Sequence, residues 1–171
     1  PSEIASSIKN IKLDGFFYKE EPTIVFHYNN LASHVLGYLD NENKGVMGIS
    51  EYYEDALNGE DGSRLIQKNA IGETVTVDDE EINPAVPGDD FYLTIDKSYQ
   101  LILEEELRKG VDEYGAVSGT GVIMNPNTGE VLALANIDDF NPNEYWKYND
   151  FQRRNRAITD TYEPGSTFKS F

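Results

Sequence analysis

Residues 96–136 constrain the fold of this 171-residue chain more than any other stretch. The stretch opens with apolar side chains that recur every three or four residues, as they do on one face of an α-helix. These are Tyr99, Leu103, Leu107, Val111 and Tyr114. Asp96 is a suitable N-cap, Gly115 can take the left-handed conformation that ends helices, and charged residues such as Glu104 fall on other faces. The pattern predicts a helix whose apolar face packs against another layer.

The second layer is predicted to be a β-hairpin directly after the helix. Two apolar runs, residues 122–124 and 131–135, flank the segment NPNTGE, in which Pro126 and Gly129 supply the turn dihedrals. Near-continuous apolar runs are typical of strands covered on both faces, so we expect helices on each side of the sheet. Together with a short strand at FYLTI (residues 91–95), this indicates an α+β fold.

The part of the chain before this layer shows weaker patterns. PTIVFHY (residues 22–28) is rich in β-branched and aromatic residues, which indicates a strand. SEYYEDALNG predicts a short helix from an N-cap at Ser50 to Gly59, and ETVTV alternates as a half-buried strand does. The acidic run DDEEINPAVPGDD (residues 78–90) then breaks regular structure. We therefore predict two regions, residues 1–90 and residues 91–171.

The composition excludes several kinds of partner and site. The chain has 31 acidic and 14 basic residues and a formal net charge of -17, which repels nucleic acid phosphates and anionic lipid headgroups. It has no cysteine, so disulfides, thiolate metal sites and a cysteine nucleophile are excluded. No window approaches the roughly 20 consecutive apolar residues of a transmembrane helix. The chain starts with Pro and stops just after a strong local motif, so we expect a fragment of a longer protein.

That motif is TYEPGSTFKSF, in which Ser166 stands three residues before Lys169. Pro164 and Gly165 predict a tight entry to a helix, where backbone amides and the helix dipole favour a developing oxyanion beside the Ser166 hydroxyl. Lys169 lies one turn later on the same face, and its neutral amine can act as a general base if burial or nearby positive charge favours that form. Ser-x-x-Lys alone is a weak signal, because the SSIK segment near the N-terminus has the same spacing. On the residues alone, a capped helix with a surface lysine stays an equal alternative.

A longer resemblance favours catalysis. RNRAITDTYEPGSTFK (residues 154–169) resembles the active-site segment of class B penicillin-binding proteins, the D,D-transpeptidases that cross-link peptidoglycan and are acylated by β-lactams. GVIMNPNTGEVLALAN with DFNPNEY resembles the first hairpin of their transpeptidase domain, and LTIDKSYQLILEEEL resembles the helix before it. Residues 33–62 are similar to part of their N-terminal pedestal. The sequences NRA and YEPGSTFK resemble those of the cell-division branch of the family.

The resemblance implies a serine acyl-enzyme mechanism for the parent protein. Ser166 would attack a stem peptide ending in D-Ala-D-Ala, and Lys169 would take the serine proton. The family also uses Ser-x-Asn and Lys-Thr-Gly motifs, and neither follows Lys169 here, so this chain alone is expected to be inactive. The family implies no cofactor and no metal. Its setting is the outer face of the cytoplasmic membrane, among divisome or other cell-wall proteins, with the anchor outside this chain.

Two other functions share parts of the pattern. A β-lactam sensor or serine β-lactamase also uses Ser-x-x-Lys, but those small proteins carry no pedestal-like region such as residues 33–62. A non-catalytic module, in which residues 1–90 dock partners of the cell-wall machinery, is compatible with a transpeptidase parent.

The other polar residues are interpreted as structural. The acidic pairs, including residues 138–139, lack the alternating ligand spacing of a calcium loop and are expected to be solvated turns. His27 and His34 have no second-ligand pattern beside them. Arg154 and Arg156 are expected to pair with carboxylates that orient the segment leading into the Ser-x-x-Lys motif.

Overall fold

The computed structural model describes residue 8 and residues 24–64, 67–68, 74–75 and 81–170. The described elements before the long helix are short. The helices are α1 (Ser33–Leu36), α2 (Gly48–Tyr52) and α3 (Glu54–Asn58), and the strands are β1 (Ser63–Arg64), β2 (Gln67–Lys68), β3 (Thr74–Val75) and β4 (Glu81–Asn83). The strands form two antiparallel pairs, β1 with β4 and β2 with β3.

The predicted helix and hairpin are both present. Helix α4 (Lys97–Tyr114) is followed by β5 (Gly119–Met124) and β6 (Val131–Ile137), which pair antiparallel. The Asp96 side chain accepts hydrogen bonds from the first turn of α4, and Gly115 ends the helix at φ 58° and ψ 36°. The mixed helix-and-sheet class is therefore confirmed.

The remaining elements follow the hairpin and lead to the Ser-x-x-Lys motif. They are a first 3-10 helix (Pro142–Lys147), α5 (Asp150–Arg153), α6 (Arg156–Thr159) and a second 3-10 helix (Gly165–Ser170).

Glycines in β5 let α4 approach the sheet closely. A Cβ atom on Gly119 would lie 2.9 Å from Val111 Cγ2, and one on Gly121 would lie 2.9 Å from Leu103 Cδ1. Leu103, Leu107 and Val111 face the sheet as predicted and are half-buried. The two ends of the predicted stripe are wrong, because Tyr99 and Tyr114 are 50% and 80% exposed. The buried stripe begins instead at Gln100, which is 0% exposed.

The predicted cover on both sheet faces is wrong for β5. Val122 is 49% and Met124 54% exposed, so one face of this strand is open among the described residues. The buried side chains belong to β6, where Ala133, Ala135 and Ile137 lie inside. The buried Phe140 ring extends this core to the edge of the His34 ring, 5.3 Å away. The core thus joins α1 to the hairpin.

Two predicted strands are replaced by side-chain contacts. In PTIVFHY, residues 24–26 have no regular structure and residues 27–30 form turns. Phe26 pairs with a side chain rather than a strand, because its N–H donates to Asn143 Oδ1 at 2.9 Å and its C=O accepts from Asn143 Nδ2 at 2.9 Å. FYLTI is also not a strand; the Thr94 hydroxyl within it donates to Val131 O at 2.6 Å.

The predicted helix at SEYYEDALNG is broken into α2 and α3 at Tyr53. Its N-cap is Met47 rather than Ser50, and the Ser50 hydroxyl donates instead to Leu36 O at 2.7 Å. Gly59 follows α3 with a φ of 65° and a ψ of -156°, so the left-handed helical conformation predicted for it at the helix end is wrong, although its φ is positive.

The described part of the acidic run, residues 81–90, keeps more order than expected, and residues 78–80 lie outside the described residues. It contributes β4, and Val86 forms an antiparallel bridge with Glu60. Of the predicted strand ETVTV, only Thr74–Val75 is described, and it is extended; the rest of ETVTV lies outside the described residues.

Candidate active site

The Ser-x-x-Lys motif lies on the second 3-10 helix. Gly165 enters it with a φ of 57°, and Thr167 N donates to Pro164 O at 3.3 Å, which forms the predicted tight turn. The helix is 3-10 rather than α. Side chains three residues apart eclipse one another in a 3-10 helix, so Ser166 and Lys169 lie on one face.

Both motif residues are exposed to solvent. Within residues 81–170, neither the Ser166 nor the Lys169 side chain forms a hydrogen bond or ion pair with another described group. The nucleophile and base predicted from the sequence are therefore on the same side of one helix. The groups that would enclose and activate them are not among the described residues.

Helix α6 leads toward the motif and is fixed by a buried arginine. Arg156 is 3% exposed, donates to Phe151 O at 2.8 Å and to Asp138 O at 3.3 Å, and stacks over the Phe151 ring at 4.3 Å. The predicted carboxylate partner is wrong for Arg156, because backbone carbonyls occupy its guanidinium. The prediction is confirmed for Arg154, which pairs with Asp160 at 2.7 Å.

Two asparagines join α6 to the sheet, and sequence reasoning missed both. Asn136, at the end of the apolar run in β6, is 1% exposed. Its Nδ2 donates to Asn155 Oδ1 at 2.9 Å, and its Oδ1 accepts from Ala157 N at 2.9 Å. A polar residue directly after the apolar run LALA was the available signal.

Helix α1 contacts the same segment through His34, which is 4% exposed. Its Nε2 is 2.7 Å from Gln152 O in α5, and Asn155 Nδ2 lies 3.5 Å from His34 O. Burial lowers the pKa of the imidazole, although the contact with the Gln152 carbonyl opposes this shift. The structural interpretation of His34 is consistent with this packing, and His27 is exposed.

Asp139 connects the N-terminal part of the chain to α4. Its Oδ2 accepts from Asn30 Nδ2 at 2.9 Å and from Arg108 at 2.6 Å, and its side chain is 11% exposed. The prediction of a solvated acidic turn is therefore wrong for Asp139. No group of acidic residues and histidines among the described residues is arranged to hold a metal ion.

Gln100 and Glu104 complete the polar contacts beneath α4. Gln100 pairs with both backbone groups of Leu134 at 2.8 Å each, and its amide also donates to Glu104 at 2.7 Å. Glu104 accepts from Ala32 N at 2.8 Å, so the helix face on which it lies contacts the N-terminal part of the chain. Burial raises the pKa of Glu104, while the bonds from Ala32 and Gln100 act in the opposite direction.

Comparison with known proteins decides the family. The penicillin-binding protein dimerisation domain matches residues 2–93, and the penicillin-binding protein transpeptidase domain matches residues 119–171. The chain belongs to the class B penicillin-binding proteins. The dimerisation-domain match agrees with the pedestal resemblance of residues 33–62, and the transpeptidase-domain match includes Ser166 and Lys169.

Relatives with sequence similarity carry transpeptidase or sporulation names. The chain is 38% identical to the probable peptidoglycan D,D-transpeptidase PenA of Neisseria meningitidis, over 99% of this chain and 29% of PenA. It is 35% identical to stage V sporulation protein D of Bacillus subtilis, over 98% of this chain and 26% of that protein. This penicillin-binding protein chain thus spans less than a third of the length of each of these two relatives.

Solved structures show the same fold over most of the chain. Penicillin-binding protein 3 of Mycobacterium tuberculosis matches with a TM-score of 0.71 and 28% identity, covering 85% of this chain and 29% of that one. The same protein in complex with aztreonam matches with a TM-score of 0.70. A peptidoglycan synthetase of Bifidobacterium adolescentis matches with a TM-score of 0.69 and 28% identity, covering 97% of this chain and 30% of that one. Among the described residues, no helix is long and apolar enough to cross a membrane.

Proposed function

We propose that the full-length protein containing this chain is a peptidoglycan D,D-transpeptidase with Ser166 as nucleophile and Lys169 as general base. One observation carries the proposal: the two side chains lie on one face of a 3-10 helix behind the Gly165 turn, inside the segment that matches the transpeptidase domain. The transpeptidase names of the relatives support the same assignment.

The proposed reaction follows from these two groups. Ser166 Oγ attacks the penultimate D-Ala carbonyl of a stem peptide while Lys169 Nζ takes its proton. The tetrahedral oxyanion accepts a hydrogen bond from the Ser166 backbone N–H. Collapse breaks the amide bond, the departing D-Ala takes the proton from Lys169, and an ester to Ser166 is left. An amine of a neighbouring stem peptide then attacks the ester, restores the serine hydroxyl and forms the cross-link. A β-lactam would acylate Ser166 in the same way.

The proposed site needs groups beyond the described residues. Strand β5 has one strand neighbour, β6, in the part of the chain that the structure describes. Because Gln100 takes the outward backbone groups of Leu134, the opposing Val122 directs its own backbone groups to the open edge of β5. We propose that a further strand of the longer protein pairs there. The second oxyanion donor and the family's Ser-x-Asn and Lys-Thr-Gly motifs would also come from the longer protein.

The remaining assignments are parts of the same proposal. Residues 1–90 form the pedestal and residues 91–171 begin the transpeptidase domain. The protein acts on the outer face of the cytoplasmic membrane, with stem peptides as substrates and β-lactams as covalent inhibitors. Cell-division proteins are the proposed partners.

Labelling of the full-length protein with a fluorescent penicillin tests the nucleophile. The wild type and a Ser6→Ala control, which removes the serine of the other Ser-x-x-Lys segment, are expected to be labelled equally. Ser166→Ala is expected to show no label, and Lys169→Ala is expected to be slowed by at least about 10²-fold, as for loss of a general base. Equal labelling of Ser166→Ala and wild type contradicts the proposal.

A further inference from the structure

We propose that Asn136 is a positioning residue for acylation: its side-chain amide fixes the start of α6 to β6 and so sets where the Ser166 segment stands relative to the sheet. The inference rests on the proposed function, because it concerns the placement of the proposed nucleophile.

Both the donor and the acceptor of the Asn136 side-chain amide form hydrogen bonds with residues 155–157. The donor end binds Asn155 Oδ1 at 2.9 Å, and the acceptor end binds Ala157 N at 2.9 Å. With 1% of the residue exposed, water cannot replace either bond. Two bonds of opposite polarity define a single orientation of the amide and hold residues 155–157 against β6.

The contact supplies a helix cap from outside the helix. Asn155 is the N-cap of α6, yet its side chain makes no capping bond to its own helix. The first N–H groups of a helix have no partner within it, and Asn136 Oδ1 accepts one of them, from Ala157. An α6 of 4 residues is far too short to be stable alone, so its position depends on such contacts.

The buried contacts nearest to the Ser166 segment lie before it in the chain. Residues 161–169 are all exposed, and the ion pair between Arg154 and Asp160 is itself exposed, which makes it a weak constraint. The last buried contacts before Ser166 are those of Arg156 with backbone carbonyls and those of Asn136 with residues 155–157. The Arg156 contacts reach residues 138 and 151, whereas Asn136 ties α6 directly to the strand.

Substitutions at Asn155 separate positioning from a general loss of packing. Asn155→Asp and Asn155→Leu are similar in size, and both lose the amide that faces His34 O. Only Asn155→Asp keeps an oxygen that can accept from Asn136 Nδ2. Asn136→Leu removes both bonds at once, and Asn127→Leu, in the exposed hairpin turn, is the matched control.

The experiment measures acylation of the full-length protein by a fluorescent penicillin under single-turnover conditions, which separates the acylation rate constant from the binding constant. Thermal unfolding of each variant sets an assay temperature at which all are folded. Asn136→Leu and Asn155→Leu are expected to lower the acylation rate constant by about 10- to 100-fold, the effect of displacing a reacting group by about 1 Å. Asn155→Asp is expected to stay within about 3-fold of wild type, since it keeps the acceptor.

The outcomes are distinct. A lower melting temperature with an unchanged acylation rate constant in both leucine variants shows a purely structural role and overturns the inference. Equal slowing of Asn155→Asp and Asn155→Leu also overturns it, because the acceptor would then be irrelevant. If Asn136→Leu does not fold, the comparison of Asn155→Asp with Asn155→Leu alone decides whether the inference holds. A wild type that is not acylated overturns the proposed function, and the positioning role with it.

Discussion

Replacement of Gln100 by leucine tests how helix α4 meets the edge of β6. Gln100 is 0% exposed and pairs with both backbone groups of Leu134 at 2.8 Å each, so it closes the outer edge of β6 as a neighbouring strand would. Its amide also donates to Glu104 at 2.7 Å. Gln100→Leu keeps the approximate size of the side chain and removes all three bonds.

The expected loss follows from the groups left behind. The N–H and C=O of Leu134 lose their partners, at about 1–3 kcal/mol each, or about 4 kcal/mol together at mid-range. The more apolar side chain regains about 1 kcal/mol through burial. The free energy of unfolding should therefore fall by about 3 kcal/mol.

Urea titration followed by far-UV circular dichroism measures this change. Asp112→Leu is the control on α4, because residue 112 is exposed, and it should stay within about 0.5 kcal/mol of wild type. If Gln100→Leu also stays within about 0.5 kcal/mol, Gln100 does not act as the edge partner of β6, and the reasoning is refuted.

Three further predictions concern the same layer. Leu107→Ala should lower the free energy of unfolding by about 2 kcal/mol, the lower end of the range for core leucines, because Leu107 is half-buried; an unchanged urea midpoint would contradict its packing on β5. The pKa of Glu104 is raised, so its contribution favours folding at low pH and is lost as pH rises above the ordinary value of 4.5. Glu104→Gln keeps an acceptor for Ala32 N and should therefore match or exceed the stability of wild type at neutral pH. A loss above about 1 kcal/mol in the free energy of unfolding would contradict this. The pKa of His34 is lowered, so its contribution to stability is complete above pH 6.5 and is lost as pH falls below that value. The urea midpoint of wild type should therefore drop more between about pH 7.5 and about pH 5.5 than that of His34→Gln. Parallel curves of urea midpoint against pH would show that His34 is not responsible.

The elements that local sequence determines were predicted correctly. Helix α4 carries its own signals, with an N-cap at Asp96, a left-handed glycine at Gly115 and a regular apolar spacing between them. The hairpin turn likewise depends on residues next to it in the chain. The turn at Gly165 and the shared face of the Ser-x-x-Lys pair follow from spacing alone.

Contacts between distant residues explain what the sequence did not predict. Phe26 leaves the predicted strand because its backbone pairs with Asn143, 117 residues away in the chain. Gln100 is a polar residue at the start of the buried stripe, and its partner Leu134 is 34 residues away, so its role depends on how the helix meets the hairpin. Asn136 and Arg156 are explained only once α6 is placed on the sheet. Polar residues within apolar patterns were the signals that sequence reasoning passed over.

Locating the β-lactam adduct by mass spectrometry tests the central claim most directly. Full-length protein and the chain of residues 1–171 are each incubated with a penicillin, digested, and searched for the modified peptide. The account predicts one adduct on Ser166 of the full-length protein and none on the shorter chain, whose described residues leave Ser166 and Lys169 exposed and without partners that could activate them. An adduct on another residue of the full-length protein, or stoichiometric modification of the shorter chain, would contradict the account.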